Sequence, residues 1–317
     1  MAHHREVNFL ASMPLTWSLT DRFRADVTML AVQLLMLPKW FNQNPLAQSA
    51  KAAMFLHSRH HFATHRGYGP YRNRAIKQSL SSPFNPDRLP IGYGRWLDER
   101  IVEYPWLFSL LPEGEGHLLD AGSTLNHADI IHHSKLHNKR TSILTLAPEE
   151  NCFWKDGISY IYGDLRDTIF RDQTFDYLVS LSVIEHIGLD NQMYDPKGIS
   201  GKAATADSSR AGHLASVGEM RRVLKTGGTA YFSMPFGKHD VRNWIQVFDA
   251  AMVDRVIETF APTSHTAFYY KSSATSGWQN CRREEAAESR FFDVHQDAPW
   301  PGCPAASEAI VCLKMTR

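Results

Sequence analysis

Apolar residues along this chain change their spacing about a third of the way in. From about residue 15 to 65 they recur at helical intervals, interrupted by LPKWFNQNP, where Pro38 is expected to end one helix and Pro45 to begin the next. A basic and aromatic run, HSRHHFATHRGYGPYRNRAIK (57–77), reads as a solvated loop or lid, with docking of an anionic group such as phosphate as the sharper alternative. The turn formers of SSPFNPDRLP (81–90) mark a boundary. After it, GRWLDERIVEYPWLFSLLP sets Trp96, Leu97, Ile101, Val102, Trp106 and Leu107 on a helical stripe, expected to break near Pro105 and to pack beside the first strand.

Past that stripe, short β-type runs alternate with helical ones. Candidate strands are 117–122, 142–147, 158–164, 175–182, 228–235, 266–272 and 308–315; helices fit at about 126–137, 186–193, 212–224 and 247–260. Such alternation predicts an α/β fold: a Rossmann-like, doubly wound, mostly parallel seven-stranded sheet covered on both faces. Residues 1–90 are read as a helical N-terminal addition, a lid or acceptor-binding region, and 91–317 as the sheet domain. Ligands of such sheets bind at the carboxyl ends of the strands. The small-residue insertion PKGISGKAATADSSRAG (196–212) reads as a mobile loop over that edge.

Composition narrows the functions. With 34 Lys and Arg against 33 Asp and Glu, no global field recruits nucleic acid, and none is expected as a partner. The four cysteines show neither CxxC pairing nor finger spacing, which fits a reducing, cytoplasmic setting and no structural metal. No secretory signal is evident at the N-terminus. The most apolar run, VTMLAVQLLML (27–37), is too short to span a bilayer, which takes about 20 apolar residues. That leaves core packing, or at most weak peripheral membrane association; core packing is favoured, because a strongly cationic opposite face is lacking.

Four segments then carry chemistry in order: HLLDAGS (117–123), YGDLRD (162–167), FDYLVSLSVIEHIG (175–188) and EMRRVLKTGGTAYFSMP (219–235). Together they resemble the class I S-adenosylmethionine-dependent methyltransferases, of the methyltransferase type 11 kind, from about Gly114 to Pro235. The resemblance implies S-adenosyl-L-methionine as cofactor. It puts the turn at Asp120, Gly122 and Ser123 near the methionine part and Asp164 with Leu165 near the adenine; Asn126, Thr145 and Ser182 complete the implied cofactor-binding set. A turn without side chains lets backbone N–H groups approach a ligand, which gives Gly122 its physical reason.

Two departures stand against the pattern. Thr124 and Asn126 replace the later glycines of the loop, and strand two ends LTLAPEE without the carboxylate expected to hold the ribose hydroxyls. Thr145 offers a hydroxyl there, and Glu149 is placed to reach back from the following loop. His186 stands where some small-molecule and sugar O-methyltransferases keep a histidine base, and its ordinary pKa suits removal of a hydroxyl proton. His239 and Asp240 of PFGKHDVRNW are further catalytic candidates at the same edge. The expected activity is O-methylation of a small-molecule or glycan hydroxyl. The alternative is a catalytically silent binding or scaffolding protein that keeps the fold; a nicotinamide-dependent oxidoreductase is disfavoured, because no GxGxxG follows the first strand.

Overall fold

The computed structural model describes residues 44–58, 61–194, 212–293, 296–298 and 306–317. The apolar run 27–37, the break at Pro38 and the insertion up to residue 211 lie outside them.

The first described helix, α1 (Pro45–Leu56), begins as its sequence dictates: Asn44 accepts the Leu46 N–H through its side chain, and Pro45 takes the first turn, where no amide is needed. The first part of the basic run is turn and loop where described, as expected, but from Tyr68 on it is helical, forming α2 (Tyr68–Leu80). Its Pro70 lies in the first turn, where it costs no intrahelical bond. Tyr68, Tyr71, Ala75 and Ile76 bury one face while the arginines stay at the rim. One of them, Arg72, is held by Asp98 at 2.5 Å.

Helix α3 (Arg100–Leu110) runs straight through Pro105, where the sequence predicts a break. Pro105 cannot donate to Ile101 O, four residues back. The Tyr93 hydroxyl donates to that carbonyl instead, at 2.7 Å, so the helix continues with its acceptor satisfied.

The remaining elements build one sheet. In chain order they are β1 (Gly116–Ala121), α4 (Ala128–Ile131), β2 (Lys139–Thr145), β3 (Ser159–Tyr162), β4 (Phe175–Leu181), α5 (Gly212–Val223), β5 (Leu224–Pro235), β6 (Asp240–Val241), β7 (Gln246–Val247), α6 (Ala250–Phe260), β8 (Ser264–Ser273), β9 (Gly277–Asn280), α7 (Arg283–Ala286) and β10 (Ala309–Thr316). The strand order is β3-β2-β1-β4-β5-β10-β8-β9, with β6 and β7 as a separate ribbon. Neighbours from β3 to β5 are parallel; β10 runs antiparallel to both β5 and β8, and β9 folds back on β8. The Rossmann-like α/β sheet is therefore present with an eighth strand, because the hairpin at Gly277 returns the chain along β8.

Strand alternation supplies two cores. Leu119, Leu178, Ala230, Phe232, Val311 and Leu313 face α5 and α6, whereas Leu118, Val179, Tyr231, Ile310 and Cys312 face α3 and the N-terminal helices. Ile76 and Leu89, from before residue 90, lie in this second core.

Two expected crossover helices are curtailed. The span 126–137 forms only α4 and a single 3₁₀ turn at Ser134–Leu136, because His133 turns extended and stacks on Phe108 with ring centroids 3.8 Å apart. The span 186–193 gives two 3₁₀ turns, Ile184–His186 and Gln192–Tyr194, parted at Gly188, whose φ is +86°. Among the described residues no helix is long and apolar enough to cross a membrane.

The Pro105 arrangement is testable. Tyr93→Phe strands a buried carbonyl and should cost about 1–3 kcal/mol in urea unfolding. In a Pro105→Ala background the restored amide takes Ile101 O, so the loss should shrink; equal losses in both backgrounds would remove the hydroxyl from this role.

Candidate active site

β1 pairs with β2 on one side and β4 on the other, so the strand order reverses direction at its carboxyl end. That is where open α/β sheets bind ligands. A cavity of about 320 Å³ lies there, walled by residues at or just after the ends of four neighbouring parallel strands: Gly122 to Thr124, Leu144 to Leu146, Gly163 to Arg166, and Ser182 with Val183.

Asp120 organises the first of these walls without lining the cavity. It is fully buried, and its carboxylate accepts the Thr124 N–H (3.1 Å), the Thr124 hydroxyl (3.2 Å) and the Leu125 N–H (2.8 Å). Burial pushes its pKa up to about 7, although all three hydrogen bonds pull the other way. The loop is clamped from outside by the Tyr104 hydroxyl, which donates to Thr124 O at 2.8 Å.

Glycine is required at position 122: its φ is +117°, and a Cβ there would stand 2.5 Å from the Val183 methyls. Thr124 and Asn126, which occupy the later glycine positions, keep ordinary negative φ. It is Ser123 that goes left-handed, at φ +64°. Across the cavity Ser182 does the same at φ +46°. Such backbones cost on the order of 1 kcal/mol each and cluster where a ligand site over-determines the chain.

Ser182 is held by a group on α3. Glu103, fully buried, accepts the Ser182 hydroxyl at 2.5 Å and the Ser233 hydroxyl at 2.6 Å on Oε1, and Arg100 Nη1 at 2.8 Å on Oε2. Arg100 Nη1 also donates to Leu181 O. The guanidinium so fixed lines the cavity, as do Tyr104 and His127. Sequence reasoning points to Ser182 but not to Arg100, Glu103, Tyr104, His127 or Ser233. The available signal was Glu103 itself, an ionisable residue inside the apolar run IVEYPWLF.

Of the expected cofactor residues, Gly122, Ser123, Thr145, Asp164, Leu165 and Ser182 line the cavity, and Asp120 and Asn126 lie behind its wall. Asp164 accepts the Arg166 N–H at 2.8 Å and pairs with the Arg166 guanidinium at 2.7 Å, which holds the turn after β3.

His186 also lines the cavity. Its Nδ1 lies 2.8 Å from Trp244 O and its ring stacks on Trp244, with centroids 5.2 Å apart and planes 10° apart. A carbonyl can only accept, so Nδ1 carries the proton and Nε2 keeps the lone pair. Burial lowers the pKa to about 4, against the opposite pull of the Trp244 carbonyl. The ring is therefore neutral at pH 7.

His239 and Asp240 do not line the cavity, contrary to expectation. The chain leaving β5 turns into the β6–β7 ribbon, which ties His239 Nδ1 to Val247 O and Asp240 to Arg242. The ribbon reaches the site through Trp244 at its tip. Among the described residues no three His, Cys, Asp or Glu side chains gather as metal ligands.

Fold and site thus define a Rossmann-like α/β protein with a polar cavity at the carboxyl edge of its sheet. No protein-family model and no curated protein matches the sequence. Solved structures resemble the fold at a distance. The 1,6-didemethyltoxoflavin N1-methyltransferase of Burkholderia thailandensis, solved with 1,6-didemethyltoxoflavin and S-adenosylhomocysteine, is 10% identical, with 86% of this chain and 91% of that one covered and a TM-score of 0.40. The [4+2]-cyclase SpnF is 11% identical over 62% of this chain and 70% of that one, with a TM-score of 0.40. The CurJ carbon methyltransferase is 9% identical over 69% and 52%, with a TM-score of 0.37. Likeness at this level carries no argument about function, which rests on the site itself.

Because the folded-state pKa of His186 lies below its ordinary value, its neutral form favours the native state. That contribution is present above pH 6.5 and is lost as the pH falls through about 4. Urea unfolding at pH 7, 5.5 and 4 should show a steeper acid loss for wild type than for His186→Gln; parallel losses would refute it.

Proposed function

We propose that the protein is an S-adenosylmethionine-dependent methyltransferase acting on a hydroxyl of a small-molecule or saccharide acceptor. The observation that carries this reading is a cavity at the strand-order reversal, with the Asp120-clamped turn on one wall and a neutral histidine on another.

The cofactor fits the residues present. The turn at Gly122 and Ser123 admits a ligand close to the backbone, and the Ser123 hydroxyl is buried there with no partner among the described residues. Arg100 offers a guanidinium suited to a carboxylate. Asp164 and Leu165 form the wall assigned to the adenine. When bound, S-adenosylmethionine supplies an electrophilic methyl group on a sulfonium.

The chain's own part in methyl transfer is alignment and proton removal. Nε2 of His186 takes the acceptor hydroxyl proton, while the Nδ1–H bond to Trp244 O keeps the ring in the tautomer that does so. Asn191 and Tyr194, beside His186 in the cavity wall, fall on the acceptor side.

Calorimetry with S-adenosylhomocysteine should give binding that Asp120→Ala and Asp164→Ala each weaken; no heat and no thermal shift at millimolar ligand would overturn the proposal. With an acceptor in hand, His186→Ala should slow methyl transfer by roughly 10²–10⁴-fold with cofactor affinity nearly unchanged. The wild-type rate should fall only as the pH drops toward about 4. A limb at pH 6.5, or undiminished turnover in folded His186→Ala, would exclude this base. Binding without turnover on any hydroxyl acceptor would favour a silent binding protein.

A further inference from the structure

The two departures of the sequence meet in space. Asn126, at a glycine position of the loop, is 1% exposed and fully engaged. Its Nδ2 donates to Glu149 Oε2 and to Asn151 O, both at 3.0 Å, and its Oδ1 accepts the Tyr160 hydroxyl at 2.8 Å. Asn151 Nδ2 donates back to Asn126 O at 3.3 Å, and Tyr160 is itself held by the Phe153 N–H. Glu149, in the loop after β2, receives the Thr145 hydroxyl on Oε1 at 3.1 Å. Thr145 is the residue that ends β2, where the carboxylate is missing. Both Thr145 and Glu149 line the cavity.

We propose that Asn126 and Glu149 form one ribose-reading unit, in which the residue replacing the glycine positions the carboxylate that replaces the missing strand-end acid. Each carboxylate oxygen accepts about two hydrogen bonds. Thr145 uses one site on Oε1 and Asn126 one on Oε2, and no other described residue donates to either. One acceptor site is left on each oxygen, at the fixed spacing of a carboxylate. That pair matches the two donors of a vicinal diol, as found on a ribose. Without Asn126, Glu149 would hang from Thr145 alone on an exposed loop and lose the orientation that makes the match. A glycine at 126 is therefore harmful in this chain, the opposite of what the family pattern taken alone would suggest.

The inference rests on the cofactor reading above and is tested apart from turnover. The full-length protein is titrated calorimetrically with S-adenosylhomocysteine, then the bound ligand is displaced with adenosine or with 2′,3′-dideoxyadenosine. Wild type should prefer adenosine by about 10- to 100-fold, the worth of hydrogen bonds to a charged group. Glu149→Gln, an exposed substitution that leaves the fold alone, should collapse that preference. Asn126→Gly should lower it too, and the double variant should be no worse than Glu149→Gln, as expected of residues acting through one group. Thr145→Asp in the Glu149→Gln background, which puts an acid back at the strand end, should recover part of it. S-adenosylhomocysteine binding with an adenosine preference untouched by Glu149→Gln would overturn the inference while leaving the cofactor reading intact. Tighter S-adenosylhomocysteine binding in Asn126→Gly would overturn it as well. Absence of wild-type binding to all three ligands would instead overturn the cofactor reading, and the inference with it.

Discussion

The Asp120 carboxylate lies one residue before the end of β1 inside the protein, out of reach of water, and so must be satisfied by the chain that follows it. Two amides and a hydroxyl from Thr124 and Leu125 do this, and to deliver them the chain has to reverse within four residues. That reversal sets the conformations of Gly122 and Ser123 and thereby opens the cavity beside the strand ends. The energy of this arrangement is local, but its consequence is the geometry of the whole carboxyl edge. The helix expected from residue 126 shrinks to α4, and Asn126 is turned toward the loop after β2.

A second buried acid ties the rest of the molecule to that edge. Glu103 binds α3 to the ends of β4 and β5 through two serine hydroxyls, and it holds Arg100 at the cavity. Breaking one partner of such a buried network typically costs about 3–5 kcal/mol, because the other is left uncompensated. The N-terminal helices are accordingly part of the same structural unit as the sheet: Ile76 and Leu89 pack into the core that α3 shares with β1 and β4. Their apolar faces and the polar network behind Ser182 both depend on the position of α3, and this is how residues far from the strand ends influence the site.

The remaining wall is built from aromatic and neutral groups. Trp244 supplies both a stacking face and a carbonyl to His186, so a short ribbon fixes the tautomer of the imidazole, while burial keeps the ring neutral. The Ser182 and Tyr104 hydroxyls at the cavity are oriented by the buried Glu103 carboxylate and the Thr124 carbonyl.

The sequence by itself determined the α/β alternation, the order of the strands along the chain and the turn at Gly122. These follow from local spacing: a period of two for strands, and a glycine or acid at a strand end. It also made Glu149 a candidate for the missing carboxylate, without indicating what would hold it. Only the tertiary structure decided that Pro105 stays inside a helix, because the compensating hydroxyl of Tyr93 comes from twelve residues upstream. It decided that the arginine-bearing second half of the basic run folds as α2, because the face that matters is carried by Tyr68, Tyr71 and Ile76 against a core assembled from distant strands. It separated His239 and Asp240 from His186, although all three follow parallel strands, because the ribbon after β5 packs its tryptophan on His186 and ties His239 to Val247 O. And it joined Asn126 to Glu149, 23 residues apart, through an amide whose two ends are bound on opposite sides. Periodicity reports which face of an element is buried; partnership across elements depends on where folding brings hydroxyls, amides and carboxylates within about 3 Å, and the chain's local pattern carries no record of that distance.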